Sequence, residues 1–149
     1  MRKSCLEAGA LALAVVMIVG CGQAEHAYHK KQTTKVTGRI TVDGKPPGSP
    51  ISITCHPEGE ADLEHPTITQ GLTDNEGAFS LSTYEQGDGV PPGDYRLTFF
   101  WGKFNPISVS FSGPDQLKKR YDTPEKSPVP FTVSDNKPVD LGEISLTTK

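Results

Sequence analysis

The sequence predicts an all-β domain, an antiparallel β-sandwich of seven to eight strands behind a removable leader. Two observations predict it. Short segments alternate apolar and polar residues with the period of a half-buried strand, and clusters of Gly, Pro, Asp and Asn separate them. Fifteen glycines and thirteen prolines in 149 residues supply that many turns. The length suits one domain with a single core.

The leader comes first. Arg2 and Lys3 form a positive start, and the apolar stretch that follows, residues 8–19, is about a dozen residues long. That is the length of a signal-peptide core and short of the ~18 residues that span a bilayer. Ile18-Val19-Gly20-Cys21 closes it: aliphatic, aliphatic, small, cysteine. This resembles the bacterial lipobox, in which the thiol receives diacylglycerol and becomes the new N-terminus, while the small residue before it admits the signal peptidase. The expected organisation is a lipoprotein signal peptide over residues 1–20, a lipidated flexible tether over 21–35 and the domain over 36–149. Cys21 is thus the expected lipidation site, and a bacterial membrane the expected partner on its extracytoplasmic side. In the tether, His26 and His29 have ligand-like spacing but no fixed surroundings, so a solvated spacer is expected there.

The domain opens with Val36, Gly38, Ile40 and Val42 on one strand face and Thr37, Arg39 and Thr41 on the other, followed by an Asp43-Gly44 turn. In the second strand, Ile51, Ile53 and Cys55 point inward while Ser52, Thr54 and His56 point outward. A thiol and an imidazole adjacent on a strand project to opposite faces, so Cys55 is expected to be a buried, unreactive thiol rather than a nucleophile. Residues 57–66, with Glu58, Glu60, Asp62, Glu64 and His65, form a polar loop without the spacing of a calcium loop.

A short strand over 68–73 leads into Asp74-Asn75-Glu76-Gly77, which reads as a hairpin turn that sets register, with Asp74 and Asn75 able to take unusual backbone angles and Gly77 a positive φ. Phe79 and Leu81 then face the core. After an acidic loop containing Asp88, the residues Tyr95, Leu97, Phe99 and Trp101 line the inner face of the central strand. The single tryptophan is expected in the core, provided its N–H is satisfied. Asn105-Pro106 breaks that strand, and Ile107, Val109 and Phe111 alternate in a short further segment. Residues 113–130 lack a period and carry Lys118-Lys119-Arg120 beside Tyr121, followed by strands over 129–133 and 141–146.

Charge limits the function classes. At 22% charged residues and a net charge of −3, the chain has no basic field to hold nucleic acid. One thiol in the body cannot build a disulfide framework. No catalytic residue, metal ligand or cofactor emerges. The leading expectation is a non-enzymatic, lipid-anchored cell-envelope protein that presents loops to a protein, peptide or glycan. Lys118, Lys119, Arg120, Tyr121 and Asp88 are the candidate binding residues, on loops 113–130 and 85–92. The alternatives are a small hydrolase using His56 and His65, or a purely structural spacer or assembly subunit.

Val36-Thr37-Gly38-Arg39-Ile40, Asp43-Gly44-Lys45-Pro46, Thr73-Asp74-Asn75-Glu76-Gly77-Ala78-Phe79, Pro92-Gly93-Asp94-Tyr95 and Leu141-Gly142-Glu143-Ile144, in that order, resemble the carboxypeptidase regulatory-like domain, of transthyretin-like (prealbumin-like) β-sandwich fold. With the leader and Arg120-Tyr121 ahead of Ser127-Pro128, the chain is similar to a group of bacterial lipoproteins. The resemblance implies an accessory stalk or binding module without chemistry of its own. An enzymatic branch of similar fold, the hydroxyisourate hydrolases, carries a C-terminal Tyr-Arg-Gly-Ser, which this chain lacks.

Overall fold

The computed structural model describes residues 29–60 and 62–149. The leader, the lipobox with Cys21, and His26 lie outside the described residues.

The described residues form nine strands: β1 (Val36–Val42), β2 (Ser52–Pro57), β3 (Thr69–Leu72), β4 (Ala78–Ser82), β5 (Gly93–Phe100), β6 (Lys103–Asn105), β7 (Ser110–Ser112), β8 (Pro130–Val133) and β9 (Val139–Leu146). Seven make one sheet in the order β8-β5-β2-β3-β4-β1-β9, and β6 and β7 pair apart as a hairpin. The inward residues predicted from alternation do form the core. Val36, Ile40, Ile51, Ile53, Cys55, Phe79, Leu81, Leu97 and Phe99 are all buried in one cluster.

A purely antiparallel sandwich is not what forms. β1 and β9 run parallel, from Val36 opposite Val139 to Val42 opposite Leu146, with a register shift between Thr37 and Arg39. The reason is where each strand begins. The chain reaches β1 beside Val90, to which Thr34 is bridged in both directions (2.8 and 2.9 Å), and β9 starts with the Val139 N–H bonded to the Lys35 carbonyl at 2.9 Å. Both strands therefore leave the same pole of the domain and travel the same way. Because β8 and β9 are the two sheet edges and only residues 134–138 separate them, the sheet curls into a near-closed barrel.

The alternation past β5 does not lead into the core: Ile107 and Val109 are 94% and 69% exposed at the tip of the β6–β7 hairpin, with Val109 at φ +47°. The hairpin has its own small aromatic base instead, Phe111 lying 5.2 Å from Phe104 and 5.9 Å from Phe100 between ring centres. In the 74–77 turn only Gly77 takes a positive φ, at +87°. Asp74 contributes through its carboxylate, which accepts the N–H groups of Glu76 (2.9 Å) and Ala78 (2.8 Å).

Candidate functional site

Residues 113–130 have no strand period, yet they are firmly built. Asp115 organises the turn: its Oδ1 accepts the N–H groups of Trp101 and Leu117, each at 3.0 Å, and its Oδ2 accepts that of Lys119 at 2.9 Å. Leu117 is fully buried and pins the loop to the core. The Phe99 N–H donates to the Tyr121 carbonyl at 2.9 Å, the Thr147 N–H to the Tyr121 hydroxyl at 3.1 Å, and the Tyr121 ring meets Phe99 edge-on. Tyr121 is thus part of the support. Lys118, Lys119 and Arg120 are exposed between these fixed points, with Lys118 and Lys119 held at φ +56° and +58°. Lys126 braces the far side, donating to the Lys119 carbonyl (3.1 Å) and to Asp122 (2.7 Å), whose carboxyl it holds below the usual range.

Asp88 stands elsewhere. Its two oxygens accept the N–H groups of Thr83 (2.8 Å), Tyr84 (3.0 Å) and Glu85 (3.1 Å), so its carboxylate closes its own loop. That loop precedes the start of β5, whereas Tyr121 is bonded at Phe99 near its end. Six residues of extended chain, about 20 Å, separate them. The fold does not gather Asp88 and Lys118–Tyr121 into one surface.

The chain joins the domain at the Asp88 pole. Residues 30–34, assigned to the tether by composition, lie against the body: Lys30 pairs with Glu85 (2.8 Å), Lys31 with Asp62 (2.6 Å), and Gln32 bonds Asn136 (2.6 Å). The Lys31 ammonium and the His65 and Glu64 N–H groups bring the Asp62 carboxyl down to about 2. His29 stacks on His65 with ring centres 4.2 Å apart.

His56 and His65 have separate surroundings. His56 Nε2 bonds the Thr98 hydroxyl at 2.9 Å on the outer face of the sheet, beside an Arg96–Glu58 ion pair. His56, Glu58 and Arg96, with Pro124 and Glu125, line an open cleft of ≈ 570 Å³. His65 is taken up by the His29 stack, and Cys55 faces the opposite way, into the core. Thiol and imidazole therefore form no nucleophilic pair, and no catalytic dyad is evident for the hydrolase alternative. Among the described residues no group of three or more His, Cys, Asp or Glu side chains is placed to hold a metal ion.

Burial pushes the Cys55 thiol up to about 12 from an ordinary 9.0, and the Tyr95 phenol up to about 12 from 10.0. Both groups stay neutral in the fold and ionise first in the unfolded chain. Their stabilisation is therefore whole below pH 9 and is lost as pH rises towards 12. Urea titrations of the domain at pH 8 and pH 10.5 are expected to differ by roughly 2–3 kcal/mol, with Cys55→Ala removing most of the difference.

Sequence reasoning passed over one feature. The Asp43-Gly44 turn, Gln116 and Trp101 converge on an open cleft of ≈ 620 Å³ at the pole opposite the tether. The signal available was the turn itself; Gln116 lies in the aperiodic stretch and carried none. Trp101 is half-buried just beyond β5, and its indole N–H donates to Ser49 Oγ at 2.8 Å.

No family model matches this chain, and no curated protein matches it. Among solved structures, it is similar to (S)-allantoin synthase, with 15% identity over 80% of this chain and 43% of that one and a TM-score of 0.40. It is similar also to a DUF3823 family protein from Parabacteroides merdae, at 18% identity over 79% of this chain and 46% of that one, TM-score 0.39. A third is a 9R-lipoxygenase from Cyanothece, at 17% identity over 77% of this chain and 16% of that one, TM-score 0.37. The chain spans less than half the length of each. Likenesses this weak carry no argument about its role.

Proposed function

We propose that this protein is a non-enzymatic binding module of the bacterial cell envelope, held to the membrane through a lipidated Cys21 and presenting its far pole to a protein, peptide or glycan partner. One observation carries the reading. The chain segment leading back to Cys21 joins the domain at one pole, and the exposed Lys118-Lys119-Arg120 turn sits at the other on a backbone fixed by Asp115, Leu117 and Tyr121. A loop fixed in advance loses less conformational freedom on binding, which favours recognition over simple solvation. The resemblance to carboxypeptidase regulatory-like domains supports an accessory role in the same way.

The test is crosslinking in intact cells from a photoreactive side chain at Lys119, with Glu64, whose side chain is 87% exposed, as the control position at the tether pole. A discrete adduct from Lys119 and none from Glu64 is expected. Absence of any adduct from positions 118, 119 and 120, or identical adducts from both poles, contradicts the reading.

A further inference from the structure

We infer that the cleft beside Trp101 is a saccharide-binding site in which the indole face receives a pyranose ring. The inference rests on the reading of the domain as an envelope binding module and names a ligand class for its membrane-distal pole.

The indole is positioned at three points before any ligand arrives. Its backbone N–H donates to Asp115 Oδ1 at 3.0 Å, its carbonyl accepts the Gln116 N–H at 2.9 Å, and its ring N–H is bonded to Ser49 Oγ at 2.8 Å. With the N–H satisfied from within, what the half-buried ring offers the ≈ 620 Å³ cleft is its apolar, electron-rich surface. The volume is in the range of sites for ligands of one to a few rings. The C–H groups on the face of a pyranose carry a small positive charge and complement such a surface.

The rim supplies what the hydroxyls of that ring require. Asp43 is ionised there, its carboxyl held below the usual range by the hydroxyls of Thr148 and Thr147 and by the Thr148 N–H. Lys45 and Lys149 line the same cleft as donors, and the exposed Gln116 amide offers both a donor and an acceptor. The rim charges are mixed, one carboxylate and two ammonium groups, and do not make the basic field that a polyanion such as nucleic acid needs. The apolar contribution besides Trp101 is confined to Val42 and Pro46, too little wall to enclose an apolar peptide side chain. One aromatic plane ringed by polar groups of both signs suits a polyhydroxylated ring.

The single tryptophan makes the site its own reporter. The protein is titrated with the uncharged tetra-N-acetylchitotetraose, cellotetraose and mannotetraose while tryptophan emission is followed. A saturable change with at least one of them at millimolar concentration or below is expected. Loss of one side-chain hydrogen bond in Gln116→Ala is expected to weaken that binding about tenfold with the fold intact. Trp101→Phe, followed by calorimetry, is expected to weaken it by at least as much.

No saturable change with any probe up to about 20 mM overturns the proposal, since that is weaker than the usual millimolar floor of recognition. So does binding that Gln116→Ala and Trp101→Phe both leave unaltered. The two readings fail separately. A Lys119 adduct in cells without saccharide binding sinks the Trp101 site and keeps the module, and the converse result keeps the site and sinks the Lys119 surface.

Discussion

Gly77→Ala is expected to destabilise the domain by about 4 kcal/mol, enough to leave much of it unfolded. At φ +87° an alanine already costs about 1–2 kcal/mol. Here the larger cost is steric, because the added Cβ would lie 2.0 Å from the Ile40 carbonyl oxygen and 3.2 Å from Pro47 Cδ. Neither neighbour can step aside cheaply. The Gly77 carbonyl accepts the Ile40 N–H at 2.8 Å, and Asn75, two residues back in the turn, accepts the Gly48 N–H at 3.0 Å through its carbonyl. Relieving the clash therefore pulls the turn off β1 and loosens β4, which pairs with β1 from Ala78 to Ser80. Gly44→Ala is the control: φ is +77° but nothing lies within 4 Å of the added carbon, so only the backbone cost of about 1–2 kcal/mol remains. Urea unfolding of the two variants separates the terms. Equal losses would mean that the turn yields without strain, against this account.

That turn also shows what the sequence carried. Alternation located β1, β2, β4 and β5 and correctly turned Cys55 inward, because the pleat ties side-chain direction to residue parity. The same parity says nothing about strand direction or partner. The parallel β1–β9 pair was hidden for that reason, being set by a chain that enters and returns at one pole. Alternation also cannot tell which face will be covered. Ile107 and Val109 keep the pattern yet sit on a hairpin that the core never reaches.

The candidate surface was legible in outline and not in construction. Lys118-Lys119-Arg120 were visible as a basic turn, but the loop around them is ordered by one carboxylate, Asp115, and one buried side chain, Leu117, and neither leaves a periodic trace. Asp88 looked like a displayed acid because its three partners are backbone N–H groups, which any sequence has. Residues 30–35 read as solvated spacer for a like reason. Their attachment uses the backbone of Thr34 and Lys35 together with polar side chains, so no apolar signature marks it.

The second large effect concerns location. Lipidation of Cys21 would place two or three acyl chains in the bilayer; one chain alone holds a protein marginally, and two or more anchor it stably. Among the described residues no helix is long and apolar enough to cross a membrane. Cys21→Ser removes the acceptor thiol and leaves residues 29–149 unaltered. Fractionation of cells carrying each form is the most direct measurement of whether this is an anchored module. The wild-type chain is expected to sediment with membranes and to be released by detergent, while Cys21→Ser passes wholly to the soluble fraction. A Cys21→Ser protein that stays with the membrane, or a wild-type protein that was never there, would contradict anchoring through Cys21.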